Sequence, residues 1–308
     1  MTTSHLLAGV YAAAVTPLKD ASTLDLDSVP ALANFLTDRG CHGIVLFGTT
    51  GEGPSFSSKE REDVMRALKE NRPAGSRLIA GTGTPSLTET IELTKCAFNL
   101  GYDAVLVVPP YYFRKASDDG LFDWFSEVIR KAVPVDKFLI GYHIPPLIGV
   151  GFSVPLLKRL KDAFPNQFAG IKDSSHDADF ARSVGDTFGA DLLVLNGTDS
   201  FLQMAMEHHA AGCITAPANL ISPDLREVWD LIQAGKDPNQ AQARVTEKRH
   251  ILEKYLPFPP ALKALMHRLH GLPRWAVRPP LENLTEEKIE SALDELAKVQ
   301  PAGYETVS

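Results

Sequence analysis

Cysteine is scarce: the chain has three in 308 residues, Cys41, Cys96 and Cys213, far apart and without a C-x-x-C pair. That offers neither a disulfide framework nor a cysteine zinc site, and it makes a reducing compartment, the cytoplasm, the expected location. Basic blocks are also missing. With a net charge of −7, nucleic acids and anionic membrane surfaces are not expected partners. No apolar run approaches the roughly 18 residues of a membrane span. Leu6–Val15 resembles a short signal core, but no Lys or Arg precedes it and Lys19 is the first cation. It reads instead as a buried first strand. Metal spacing is absent too. His42, His143, His176, His208 and His209 fall on different elements, with no H-x-x-x-H or H-E-x-x-H, so no metal is expected.

What is present is a regular alternation. Hydrophobic residues make up 44% and charged residues 22%, ordinary for a globular chain. Strands are predicted at Val10–Val15, Gly43–Phe47, Leu78–Ala80, Ala104–Val108, Phe138–Tyr142, Phe168–Ile171, Leu192–Leu195 and Cys213–Ala216. After each comes an amphipathic stretch read as a helix: Leu26–Asp38, Lys59–Glu70, Leu87–Asn99, Gly120–Lys131, Val154–Ala163, Ala178–Thr187, Phe201–His209 and Pro223–Ala234. The strands are continuous apolar runs, the mark of a parallel sheet covered on both faces. Eight such units in about 225 residues match a closed (β/α)8, or TIM, barrel better than an open doubly wound sheet. The open sheet usually carries a phosphate-binding turn. Gly81-Thr82-Gly83-Thr84-Pro85-Ser86 has only two of the three glycines and puts proline where the helix must begin.

After Ala234 the strands stop. Asn239–Tyr255, Pro260–His270 and Glu286–Val299 read as helices, punctuated by Pro257, Pro259 and Pro260 and then by Pro273, Pro279 and Pro280. The expected division is a barrel over 1–235 and a C-terminal helical extension over 236–308.

In a barrel of this kind chemistry sits where strands run into loops. Those positions carry Gly48-Thr49-Thr50-Gly51-Glu52-Gly53, Pro109-Pro110-Tyr111-Tyr112, Tyr142-His143-Ile144-Pro145, Lys172-Asp173-Ser174, Asn196-Gly197-Thr198-Asp199 and Thr215-Ala216-Pro217. Most strand-end lysines are simply solvated. An amine inside a barrel mouth is different, because burial disfavours its ammonium form and frees a nucleophile for a ketone. Lys172 is that candidate. Tyr142 ends the preceding strand, so its phenol can approach the amine and shuttle a proton; the plainer reading is a rim tyrosine with a wet hydroxyl. Thr49 and Thr50 lie on a glycine-flanked turn whose hydroxyls and N–H groups suit a carboxylate, or serve turn geometry alone. His143 either lines the pocket or caps it. Glu52 and Asp173 read as structural partners of their loops, and Arg114 as a solvated rim charge.

Gly48-Thr49-Thr50-Gly51-Glu52, Tyr142-x-x-Pro145 and Gly170-Ile171-Lys172-Asp173-Ser174, in this order at strand ends, resemble the dihydrodipicolinate synthase / N-acetylneuraminate lyase superfamily. The resemblance covers about Val10 to Val299. It implies a carbon–carbon lyase, or class I aldolase, acting on pyruvate or a pyruvate-derived 2-keto acid without metal or organic cofactor. It implies Lys172 as the Schiff-base lysine, Tyr142 as the acid/base phenol, and Thr49 as the link to a second tyrosine. It also implies Thr50 as the carboxylate holder and the Ile214 carbonyl beside the imine. The second tyrosine matches Tyr112 best, with Tyr111 the fallback, and in relatives it reaches into a neighbouring subunit. The resemblance also implies a homotetramer built as a dimer of dimers.

The departures narrow the substrate. Leu147 stands where dihydrodipicolinate synthases carry an arginine that grips the second substrate, and an apolar side chain cannot clamp a carboxylate. Sialate lyases carry a polar residue at Ala216 and threonine at Ser174. Lys172-Asp173-Ser174 is closer to hydroxy-oxoglutarate and keto-deoxy sugar-acid aldolases, and Leu147, Ile148 and Ala216 point to a less polar second-substrate pocket. The rival readings are 4-hydroxy-tetrahydrodipicolinate synthase itself, disfavoured by Leu147, and a pyruvate-binding barrel without turnover.

Overall fold

The computed structural model describes residues 6–299. In it eight parallel strands close into a barrel in chain order, with the last pairing back to the first. They are β1 (Gly9–Ala13), β2 (Gly43–Leu46), β3 (Arg77–Gly81), β4 (Ala104–Val107), β5 (Phe138–His143), β6 (Phe168–Asp173), β7 (Leu193–Asn196) and β8 (Gly212–Thr215). Closure rules out the open sheet. The helices between them are α1 (Ser28–Asp38), α2 (Ser58–Glu70), α3 (Leu87–Asn99), α4 (Asp118–Ala132), α5 (Pro145–Ile148), α6 (Val154–Ala163), α7 (Ala178–Phe188) and α8 (Leu202–Glu207). Then come α9 (Ala218–Gln233), α10 (Asn239–Glu253), α11 (Phe258–His270) and α12 (Glu286–Leu296). None of the helices among the described residues is long and apolar enough to cross a membrane.

The differences from the sequence reading have local causes. α9 was expected from Pro223 but starts at Ala218; it accommodates Pro223 by a kink at Ile221 (φ −111°, ψ 26°). α5 was not expected. Two prolines preset φ for its single turn, and Gly149 ends it in the left-handed region (φ 71°). α8 is shorter than predicted because Phe201 belongs to a separate 3-10 turn, Asp199–Phe201, and the helix ends at Glu207 ahead of the left-handed His209 (φ 69°). α2 begins at Ser58, one residue before the predicted Lys59, behind a capping box in which Ser57 and Glu60 exchange hydrogen bonds. β5 and β6 run further than expected, so Lys172 is held by the strand ladder, beside Tyr142, rather than by a loop.

Apolar side chains divide into two clusters. Tyr11, Val45, Ile79, Leu106, Ile140, Ala169, Leu193 and Ile214 belong to a small cluster that fills the barrel. Phe168, Ile171, Val105, Val107 and Cys213 belong to the larger layer between strands and helices. β6 breaks strict alternation. Its register against β5 slips between Leu139 and Ile140, so that Leu139 pairs with Phe168 but Ile140 with Gly170. The slip is a β-bulge, one extra residue on β6. It places Ala169 in the inner cluster and Ile171 in the outer one, and Lys172, the next residue, lines a cavity at the barrel mouth. A regular strand would have turned Lys172 outward, because strand faces alternate with period two. Gly170 permits the bulge: a Cβ there would lie 1.9 Å from the Leu193 carbonyl oxygen.

Gly170→Ala therefore forces β6 off β7. We expect a loss of about 1–3 kcal/mol in unfolding free energy, the usual scale of overpacking, together with loss of activity through the displaced amine. Urea unfolding of an unchanged, fully active variant would show that the bulge tolerates a side chain.

Candidate active site

Tyr142 and Lys172 are cross-strand partners in the β5–β6 ladder. Both are buried, and the Lys172 Nζ sits 4.2 Å from the Tyr142 ring centroid. Thr49, in the loop after β2, brings its Oγ1 to 3.3 Å from the Tyr142 hydroxyl. Burial pushes the phenol up, but the Lys172 charge and hydrogen bonds with Thr49, Lys172 and Ser174 outweigh it, so its pKa lies below that of a free tyrosine. A phenol so held can give up and recover a proton beside an amine, the requirement for general acid–base work.

These groups face a cavity of about 460 Å³ lined by Thr49, Thr50, Tyr142, Lys172, Ser174 and Ile214. Five of the six residues singled out from the sequence thus meet in one place. The sixth, Tyr112, does not: it is 77% exposed, its ring edge-on to the equally outlying Phe113. Tyr111 is half-buried and lines an adjoining cavity of about 380 Å³, which shares Thr49, Tyr142, Ile144 and Leu147 with the first. Arg114 is exposed at the edge of that second cavity.

The remaining predicted neighbours have structural partners. His143 lines neither cavity; its Nδ1 accepts the Phe152 N–H at 2.9 Å and its ring stacks on Phe180 at 4.2 Å. Burial lowers its pKa to about 4, so it stays neutral in this role. Asp173 accepts the Ser175 N–H. Glu52 is left-handed (φ 54°) and buried, and its carboxylate accepts from Lys263 Nζ (2.5 Å) and from the Arg278 N–H (2.9 Å). Lys263, on α11, is itself buried and also bonds the Ala276 carbonyl. α11 and the segment that follows it therefore clamp the loop that carries Thr49 and Thr50.

Three cavity residues had no signal in the sequence, Arg249, Leu256 and Phe258, and His176 had one only as a candidate metal ligand. Arg249 comes from α10 and reaches the barrel through Asp199, fifty positions earlier. Among the described residues no group of three His, Cys, Asp or Glu side chains is placed to hold a metal ion.

A (β/α)8 barrel with a buried amine, a phenol and a threonine converging at its mouth has the architecture of the class I aldolases and lyases. The family model for the dihydrodipicolinate synthetase family matches residues 6–299. An uncharacterized DapA-like lyase of Chloroflexus aurantiacus is 36% identical over 91% of this chain and 93% of its own. A 4-hydroxy-tetrahydrodipicolinate synthase of Prochlorococcus marinus (strain MIT 9301) is 33% identical over 92% of each. The dihydrodipicolinate synthase of Acinetobacter baumannii, solved in complex with pyruvate, superposes with a TM-score of 0.86 at 31% identity, over 94% of this chain and 98% of that one. The chain belongs to the dihydrodipicolinate synthetase family, and it is a lyase.

Two measurements check this electrostatic arrangement. Replacing Lys172 with Met removes the charge that offsets burial, so one tyrosine should titrate at higher pH in difference absorbance; an unmoved titration would show that Lys172 does not set the phenol. Lys263→Met strands the Glu52 carboxylate in the interior. Breaking a buried pair this way costs about 3–5 kcal/mol, read as a lowered urea midpoint, whereas an unchanged midpoint means water reaches Glu52.

Proposed function

We propose that the enzyme cleaves or forms a carbon–carbon bond next to the keto group of pyruvate-derived 2-keto acids through an imine on Lys172. The observation that carries this is the ladder pair Tyr142–Lys172, with the amine against the phenol ring in a buried site. The neutral amine adds to the keto carbon, and the carbinolamine takes a proton from Tyr142 as it loses water, giving the iminium and leaving a phenolate. In the cleavage direction Tyr142 takes the proton of the 4-hydroxyl as the C3–C4 bond breaks. The bonding electrons flow into the iminium to give an enamine, and the aldehyde leaves. Protonation of the enamine and hydrolysis return pyruvate and free Lys172. Thr50 holds the substrate carboxylate through its hydroxyl and N–H, and the Ile214 carbonyl lies beside the imine. No organic cofactor or metal is needed for these steps.

Thr49 connects Tyr142 to a second tyrosine. Tyr112 fills that role from a neighbouring subunit, which fits its exposure and that of Phe113, 77% and 72%. The assembly is then a homotetramer whose subunits complete each other's sites, working in the cytoplasm. Leu147, 57% exposed and on the wall of both cavities, favours an aldol substrate other than that of 4-hydroxy-tetrahydrodipicolinate synthase, because it cannot clamp the carboxylate of the second substrate.

Borohydride reduction in the presence of pyruvate should leave a reduced pyruvyl adduct on Lys172, located by mass spectrometry. Tyr142→Phe should lower kcat by about 10²–10⁴-fold, the contribution of a positioned proton donor. Absence of the adduct, or activity abolished by a chelator, would overturn the imine reading.

A further inference from the structure

Much of the wall of the cavity that holds Lys172 is apolar. Ile144, Leu147, Ala216, Leu256, Phe258 and Pro259 line it. Apart from Lys172, Tyr142, Thr49 and Thr50, its polar contribution comes from Ser174, His176 and Arg249. Arg249 is the group with the reach and donor count to select a substrate, and its surroundings decide what it can select. Arg249 is 4% exposed, and its guanidinium lies over the Phe258 ring, 5.1 Å from the centroid. Nη1 donates to Asp199 at 2.6 Å and Nε to Glu253 at 2.7 Å. Nη2 takes part in neither bond. Asp199 is fully buried, and its other oxygen, Oδ1, has no partner among the described residues.

Arg249 and its two carboxylate partners, Asp199 and Glu253, together carry one net negative charge beside the cavity. His176 does not correct it, since burial first and the Arg249 charge second hold its imidazole below its ordinary pKa. A second carboxylate brought here would meet like charge, an unfavourable juxtaposition. An uncharged oxygen meets the free N–H edge of a guanidinium, a charge-assisted donor that is already oriented by its two partners.

We propose that Arg249 selects an uncharged second substrate, donating to the hydroxyl or carbonyl oxygen of a neutral aldehyde rather than to a second carboxylate. This rests on the imine reading above and narrows it. The substrate is then a 4-hydroxy-2-keto acid with one carboxylate, held at the Lys172 end, and a neutral, oxygen-bearing chain laid along the Leu147–Phe258 wall.

The test uses the full-length enzyme and three 4-hydroxy-2-keto acids of equal chain length, ending in hydroxyl, carboxylate or methyl, with pyruvate release as the readout. The wild type should turn over the hydroxyl-ended compound with the highest kcat/KM and the carboxylate-ended one with the lowest. Arg249→Lys keeps the charge but loses the fork. It should lower kcat/KM about ten-fold or more for the hydroxyl-ended compound, as expected for one lost charge-assisted bond, mainly through KM, and leave the methyl-ended one within about two-fold. A wild-type preference for the carboxylate-ended compound, or an equal loss on all three in the variant, overturns the proposal. Where Arg249→Lys does not fold, judged by circular dichroism, the wild-type order decides alone. Pyruvate trapping on wild-type Lys172 separates the two levels: no adduct removes both readings, while an adduct with the wrong order removes only the role of Arg249.

Discussion

The site depends on one irregularity, the extra residue in β6. Parallel barrels are built from strands that alternate strictly, and alternation would bury Ile171 inside and turn Lys172 toward the helices. The bulge at Ala169–Gly170 reverses the parity for the last part of the strand. Lys172 then faces its ladder partner Tyr142 across about one strand spacing. The amine is therefore set by backbone hydrogen bonding on both sides, β5 and β7. A lysine on a loop would have to give up rotamer and backbone freedom at each encounter with substrate.

A second constraint acts from outside the barrel. Glu52 holds a left-handed backbone conformation, which a non-glycine residue adopts only when its surroundings over-determine it. Lys263 and Arg278 supply that determination, from more than two hundred positions away in the chain. Arg278 also reaches Glu60 at the start of α2, and Arg61 of the same helix donates to the Gly53 carbonyl at 2.6 Å. The loop with Thr49 and Thr50 is thus fastened at three points. Burial lowers the pKa of Lys263, and the adjacent Glu52 charge opposes that shift. The pair is best understood as a device for geometry, since buried ion pairs as such contribute little net stability.

These two constraints also mark how far the sequence could be read. Apolar runs and their spacing sufficed for the closed barrel and its eight units. Lys172, Tyr142 and Thr49 were legible because strand order puts β5 beside β6 and function gathers at strand ends. The bulge was not legible: Gly170 looks like any strand glycine until its distance to the Leu193 carbonyl is known. Helix α5 was hidden because two prolines and a glycine read equally well as a loop. Arg249 was hidden for a different reason. It lies on α10, whose residues showed no chemistry-bearing pattern, and its partner Asp199 sits in the β7 loop. Only the packing of α10 against that 3-10 turn joins them.

In the proposed reaction Arg249 and Phe258 serve the second substrate, as do Leu147 and Ala216, which the sequence did show, whereas Lys172, Tyr142 and Thr50 serve the keto acid. Imine chemistry needs an amine, a phenol and a carboxylate cradle whatever the aldehyde, so those groups sit on the barrel's own strands and first loops. The aldehyde end is built instead from α5, α10 and the start of α11, elements whose form follows from packing rather than from strand periodicity. Leu147 and Phe258 supply apolar area there, and the Arg249–Asp199–Glu253 cluster supplies a donor without a net positive charge. A pocket that adds apolar contact gains only about 1–3 kcal/mol of discrimination per methylene, but a buried donor left unpaired by the wrong substrate discriminates more strongly. Selectivity at this end therefore turns on whether the incoming chain presents a neutral oxygen to Arg249, with the apolar wall fixing its length and direction.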